Sequence, residues 1–149
     1  MLTSAGIGSG LDIDGLVANL VTAEATPTTN RLNALEPGAF THPEAEIRQK
    51  AIDETKRGLD VLAEMGGSLM TLWMGQDGFD YSFQMDYARA WDDTINAITE
   101  VADHNPAIDI ALEYKPNEPR AFALMPDAAT TLLAIKEIGR DNTGVTLDF

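Results

Sequence analysis

The chain has no cysteine, so disulfides and thiolate metal sites are excluded, and a reducing cytoplasm is the default setting. It is poor in bases: 10 Lys and Arg stand against 24 Asp and Glu, for a net charge of −14 over 149 residues. So acidic a surface would repel nucleic acid and anionic membranes, and it is compatible with divalent cations. No apolar run approaches the roughly 20 residues that span a bilayer. No basic stretch leads into an apolar core at the start, as a secretory signal would require. Low-complexity tracts are absent. Only 2 histidines are present, and neither supports a Ser-His-Asp arrangement. His42 falls in a helix-capping loop, and His104 falls at a helix C-terminus, where it suits the dipole.

What is present is ordinary for a globular chain, with 44% hydrophobic and 23% charged residues. The length suits one domain with a real core. Gly6-Ile7-Gly8-Ser9-Gly10 lacks a preceding strand and a following GK[ST], so it is a flexible entry and not a phosphate loop. Asp12-Ile13-Asp14-Gly15 is too short and misspaced for a calcium loop. Residues 11–25 read as an amphipathic helix. Ile13, Leu16, Val17, Leu20 and Val21 share one face, Asp12 is the N-cap and Pro27 the stop. A polar-apolar stretch from Asn30 to Glu36 follows, and Glu36-Pro37-Gly38 then breaks the chain.

Beyond the break, Thr41-His42-Pro43-Glu44 has capping-box spacing with Pro early in the helix. That helix should run to about Met65, burying Ile47, Ala51, Leu59 and Leu62, and stop at Gly66-Gly67. Ser68 to Met74 reads as a buried strand, followed by the polar loop Gly75 to Gly78. A helix over about Met85–Asp103 closes at His104-Asn105-Pro106. A strand over Ile108–Glu113 leads into the loop Lys115 to Pro119. A helix over about Ala128–Ile138 then precedes a final strand, 144–149. Helix and strand alternating at spacings of about 35 to 40 residues predict an α/β fold built of βα units around a parallel sheet. A complete (β/α)8 barrel needs about 250 residues and eight strands. The expected architecture is therefore a partial TIM barrel of about three βα units, preceded by a short amphipathic helical segment.

Chemistry-bearing residues fall at strand C-terminal ends, where such barrels keep their active sites. Glu113 and Asp148 occupy equivalent places on two strands, and carboxylates so placed can converge on a hard cation such as Mg²⁺ or Mn²⁺. Alternatively, each caps a following helix or faces solvent. Lys115, two residues after Glu113, points to the same face as long as the strand continues. There it would polarise a carbonyl or hydroxyl oxygen, unless it is a solvated loop lysine. Trp73, ending the first strand, either walls a sugar pocket or belongs to the core.

Four stretches carry a family resemblance: Leu72 to Gly78 (LWMGQDG), Glu100 to Pro106 (EVADHNP), Glu113 to Arg120 (EYKPNEPR) and Gly144 to Phe149 (GVTLDF). From about Pro37 onward the chain resembles L-rhamnose isomerase of the xylose-isomerase-like barrel type. The resemblance implies a metal-dependent aldose–ketose isomerase, moving hydrogen between C1 and C2 of an opened sugar with a divalent metal pair, typically Mn²⁺. It implies that Glu113 and Asp148 hold the structural metal, that Lys115 contacts the substrate as the catalytic lysine, and that Trp73 lines the sugar pocket. The family pattern continues into Cys-His after the final strand, and further histidine and aspartate ligands follow. These are absent here, so the expectation is a central fragment, inactive alone, with weak or no metal binding. Exposed barrel edges should promote self-association.

Residues 1–36 contain Ser4 to Val17 (SAGIGSGLDIDGLV), then Leu20-Val21 and Glu24, and resemble the N-terminus of flagellar hook-associated protein 2, the filament cap protein. The expected division is thus a flagellar-cap-like segment, 1–36, and an incomplete isomerase segment, 37–149. The alternative function is a structural protein that uses the first helix as a coiled-coil element.

Overall fold

The computed structural model describes residues 38–147, all within one compact unit, Leu35–Phe149. The expected helix over residues 11–25 and the whole 1–36 segment lie outside the described residues. So does Asp148.

Helix α1 spans Ala45–Glu64 and delivers the chain to strand β1, Leu69–Trp73. A two-residue strand β2, Gly78–Phe79, precedes helix α2, Tyr87–His104. Strand β3 covers Asp109–Glu113, and the short β4 covers Phe122–Ala123. Helix α3, Ala128–Ile138, leads to β5, Thr143–Thr146. The principal sheet is 3-stranded and parallel in the order β1-β3-β5, with β3 in the middle. This is the expected α/β partial barrel, with each parallel strand reached through a helix.

Local chemistry accounts for the helix ends. Asp86 caps α2 by accepting from the Arg89 N–H at 3.1 Å, and Asp127 caps α3 by accepting from the Thr130 N–H at 2.7 Å. Gly139 stops α3 in the left-handed region at φ 62, its N–H returning to the Ile135 carbonyl. The expected capping box on α1 does not form. Glu44 occupies the N-cap without a side-chain cap bond, because the Thr41 hydroxyl is committed to Asp77. His42 is buried, and its Nδ1 accepts from the Glu44 N–H at 3.0 Å, a structural role in keeping with its loop position. His104 reaches Asp60 of α1 through Nε2 at 2.7 Å.

The core forms where the helices cover one face of the sheet. Ile110 and Leu112 of β3 point into it and meet Leu59, Ile98, Val101, Ala134 and Ile138. Alternate residues face the other way, as period-two side chains must. Among the described residues that face has no helix on it, which corrects the reading of β1 as a buried strand. Leu69 is 57% exposed and Trp73 48% exposed, and Thr71 between them is exposed as well. Met70 and Leu72 pack against the core from the covered side. Ile47, expected inside, is only half-buried.

Strands β2 and β4 pair antiparallel and were not visible as periodicity, being two residues each. They join the loop after β1 to the loop after β3. A side chain at Gly78 would overlap the Phe122 carbonyl, so the two backbones approach only because residue 78 is glycine. Arg120 reinforces the junction, donating to Asp80 at 2.9 Å and to the Gln76 carbonyl at 3.4 Å. Among the described residues no helix is long and apolar enough to cross a membrane.

Candidate functional site

The parallel register places Trp73 opposite Glu113, and Glu113 opposite Thr146, at the C-terminal ends of the three strands. Glu113 is half-buried, and its carboxylate makes no hydrogen bond or ion pair among the described residues, so both carboxylate oxygens are open to a ligand. It lines a small, shallow cleft, open to solvent, with Trp73, Lys115, Asp77 and Glu118. The Lys115 ammonium lies 5.3 Å from the Trp73 ring centroid, within cation–π range, and pairs with Glu118 at 3.0 Å. Trp73, Glu113 and Lys115, chosen from the sequence, are thus brought together on one cleft. Asp148 falls outside the described residues, two positions beyond Thr146.

A hard divalent cation requires several oxygen ligands. Glu113 fits as one of them: it is a carboxylate, free of protein partners among the described residues, at a strand end. No group of three or more His, Cys, Asp or Glu that could hold a metal exists among the described residues. The described residues therefore bring fewer than three such ligands together at any one place.

Asp77 was missed at the sequence level. Flanked by glycine and glutamine in a polar loop, it looks solvated, yet it is only 2% exposed. One oxygen, Oδ1, accepts from the Ala39 N–H at 2.9 Å, the Thr41 N–H at 2.8 Å and the Thr41 hydroxyl at 2.7 Å. The other, Oδ2, is buried with no partner among the described residues. Burial pushes this carboxyl above its ordinary range, and the three donations, led by the Thr41 hydroxyl, oppose it without cancelling it. Its own carbonyl accepts from the Leu124 N–H. Asp77 thereby ties three segments together at the mouth of the cleft: the approach to α1, the loop after β1 and the loop after β3. Nearby Asp80 is held below the usual carboxylate range, first by the Ala121 N–H and then by the Arg120 guanidinium.

The family model described as "Xylose isomerase-like TIM barrel" matches residues 11–149, including most of the segment expected to resemble the flagellar cap. A xylose isomerase of Thermus thermophilus is 29% identical over 134 residues, covering 87% of this chain and 34% of that protein. A solved protein of Sinorhizobium meliloti 1021 aligns with a TM-score of 0.59 at 26% identity, covering 73% of this chain and 40% of its own. D-psicose 3-epimerase from Clostridium cellulolyticum H10, solved with D-tagatose, shares the fold with a TM-score of 0.61 at 18% identity, over 74% of this chain and 38% of its own. The chain spans about a third of the length of the curated relative it matches. A parallel sheet ending in Trp73 and Glu113, and a family match over nearly the whole sequence, lead to one conclusion: the chain belongs to the xylose isomerase-like TIM barrel family.

Proposed function

We propose that this chain carries part of the sugar- and metal-binding end of a metal-dependent aldose–ketose isomerase, with a sugar of the L-rhamnose type as substrate. The observation that carries this reading is the pairing of Trp73 with Glu113, whose carboxylate has no partner among the described residues and opens on the same cleft as Lys115. Glu113, with Asp148, would hold a divalent cation such as Mn²⁺. Such an ion, when bound, polarises a substrate oxygen and stabilises negative charge developing on it. Lys115 supplies a fixed positive charge toward the same oxygen. Trp73 offers its apolar ring to the C–H face of the opened sugar and keeps water from that side. Hydrogen moving between C1 and C2 places charge on the sugar oxygens, which is where Lys115 contributes.

The chain alone is expected not to turn over sugar, since fewer than three described ligand side chains come together, far short of the six or so oxygens a hard cation takes. Calorimetric titration with Mn²⁺ tests the metal reading. Binding should occur in the micromolar to millimolar range, weakening at least roughly tenfold in both Glu113→Gln and Asp148→Asn. Heat identical in the parent and both variants would remove these carboxylates from the site.

The two outer strands, β1 and β5, each pair on one side only among the described strands, and Leu69 and Trp73 are exposed on the open face. Unpaired edges and apolar surface of this kind favour self-association. Sedimentation velocity should show concentration-dependent species larger than a monomer of 16.1 kDa. A single monomer across a hundredfold range of concentration would overturn this part of the reading.

A further inference from the structure

Trp73 lies on the exposed side of β1, and two features of its surroundings bear on how its ring is held. The first is Gly75. A Cβ at residue 75 would come within 2.7 Å of Trp73 Cζ2 and 2.9 Å of Cη2, nearer than packed atoms approach. Unlike Gly38, Gly66 and Gly139, Gly75 does not have a positive φ, so its backbone does not demand glycine. The missing side chain instead provides the space into which the indole folds. The second feature is Glu118, whose carboxylate forms an ion pair with the Lys115 ammonium that stands over the Trp73 ring. The loop carrying both residues is fixed at its two ends. The Lys115 N–H donates to the Met125 carbonyl at 3.2 Å, and the Ala123 N–H donates to the Pro116 carbonyl at 3.1 Å. Glu118 itself has φ 62, a left-handed conformation that few non-glycine residues take.

We propose that Gly75 and Glu118 are positioning residues for the ligand wall of the cleft. Gly75 sets the orientation of the Trp73 indole by leaving room for it. Glu118 holds the Lys115 ammonium against the ring. An ion pair this exposed is weak by itself. Its effect is to select one rotamer of a long, flexible lysine, so that apolar ring and charge face the ligand as one unit. Resting on the function proposed above, the matching ligand is an uncharged polyhydroxylated chain. It would lay C–H groups on the indole and turn oxygens toward the ammonium.

The test requires neither metal nor sugar, so its failure leaves the isomerase reading standing, and failure of the Mn²⁺ titration leaves this one standing. In a Trp91→Phe background Trp73 is the sole tryptophan, and its near-UV circular dichroism and emission report its surroundings. With far-UV signal retained, Gly75→Ala should change the near-UV tryptophan band roughly twofold, because a fixed ring orientation is lost. Glu118→Gln should shift Trp73 emission in the same sense as Lys115→Met, and Glu118→Asp should restore part of the shift. The double variant Glu118→Gln/Lys115→Met should match Lys115→Met alone, as expected when one residue acts through the other. A Trp73 signal unchanged in Gly75→Ala overturns the role of Gly75. Emission unchanged in Glu118→Gln, or additive effects in the double variant, overturns the role of Glu118. Should Gly75→Ala fail to fold, the near-UV band of the Trp91→Phe parent decides instead: a strong tryptophan band well below the melting temperature supports a fixed ring, and a band near zero overturns the role of Gly75.

Discussion

Replacing Asp77 with alanine is expected to lower the stability of the chain by about 3 kcal/mol and its melting temperature by about 10 °C. The substitution strands three donors, the N–H groups of Ala39 and Thr41 and the Thr41 hydroxyl, all of which now converge on Oδ1. Each donor left without an acceptor costs about 1–3 kcal/mol, and relief of the buried charge returns part of that. Asp77→Asn should cost less, about 1 kcal/mol, because the amide oxygen can still accept all three donations. Urea unfolding of the three proteins measures the differences. A loss below half a kilocalorie in Asp77→Ala would show that the segment 39–41 contributes no stability through this carboxylate.

The same pair of proteins tests the titration. Burial raises the carboxyl of Asp77 in the folded chain. Between its unfolded and folded values the native state therefore binds more protons, and stability falls as pH rises through that window. Asp77→Asn lacks this dependence. The parent should accordingly gain on Asp77→Asn as the pH is lowered from neutrality toward the ordinary carboxylate range. Asp80, Asp103, Asp127 and Glu100 are all held low by hydrogen bonds and cations, so they contribute the opposite slope, losing stability in acid. These groups are common to both proteins and cancel in the difference. A difference independent of pH would show that Asp77 keeps one charge state throughout.

Leu112→Ala should cost about 3–4 kcal/mol, whereas Leu69→Ala should cost about 0.5 kcal/mol or less. Both leucines sit on parallel strands of one sheet. Leu112 is 0% exposed at the centre of the middle strand, on the side the helices cover. Truncating it leaves a cavity against Ile98, Val101 and Ile138, which helix packing prevents from collapsing fully. Leu69 is 57% exposed on the face that no described helix covers, and its removal opens no cavity. Thermal and urea unfolding should rank the two variants unambiguously. Equal losses would mean that the open face is covered in solution, as self-association would cover it.

The contrast between those two leucines also marks how far the sequence was legible. Apolar runs located all three parallel strands to within a few residues. The helices read over about 85–103 and 128–138 lie within two residues of those observed, whose ends Asp86, Asp127 and Gly139 fix by chemistry that works within one turn. Which face of β1 is covered was not legible, because Leu69 and Leu72 are equally apolar and only the placement of the helices separates them. Thr41 had the right spacing for a helix cap and lost that role to an acceptor 36 positions away. Asp77 looked like a solvated loop acid for the same reason: its donors belong to a distant segment. The pairing of Gly78 with Ala123 and of Phe79 with Phe122 joins two loops, and nothing periodic announces it.

For the candidate site the division is similar. Trp73, Glu113 and Lys115 could be chosen because strand ends in an alternating α/β chain gather on one side of a sheet, a consequence of parallel topology alone. That Glu113 lacks a partner among the described residues while Lys115 is already engaged by Glu118 and Trp73 depended on loop conformation. By itself, then, the sequence determined the three long helices and three parallel strands, their order and the family, because helix periodicity and strand patterns are interactions over a few residues. Tertiary structure decided which carboxylate is buried, which is free and which way the tryptophan turns. Those outcomes depend on desolvation and on donors brought from distant segments, which no local pattern encodes.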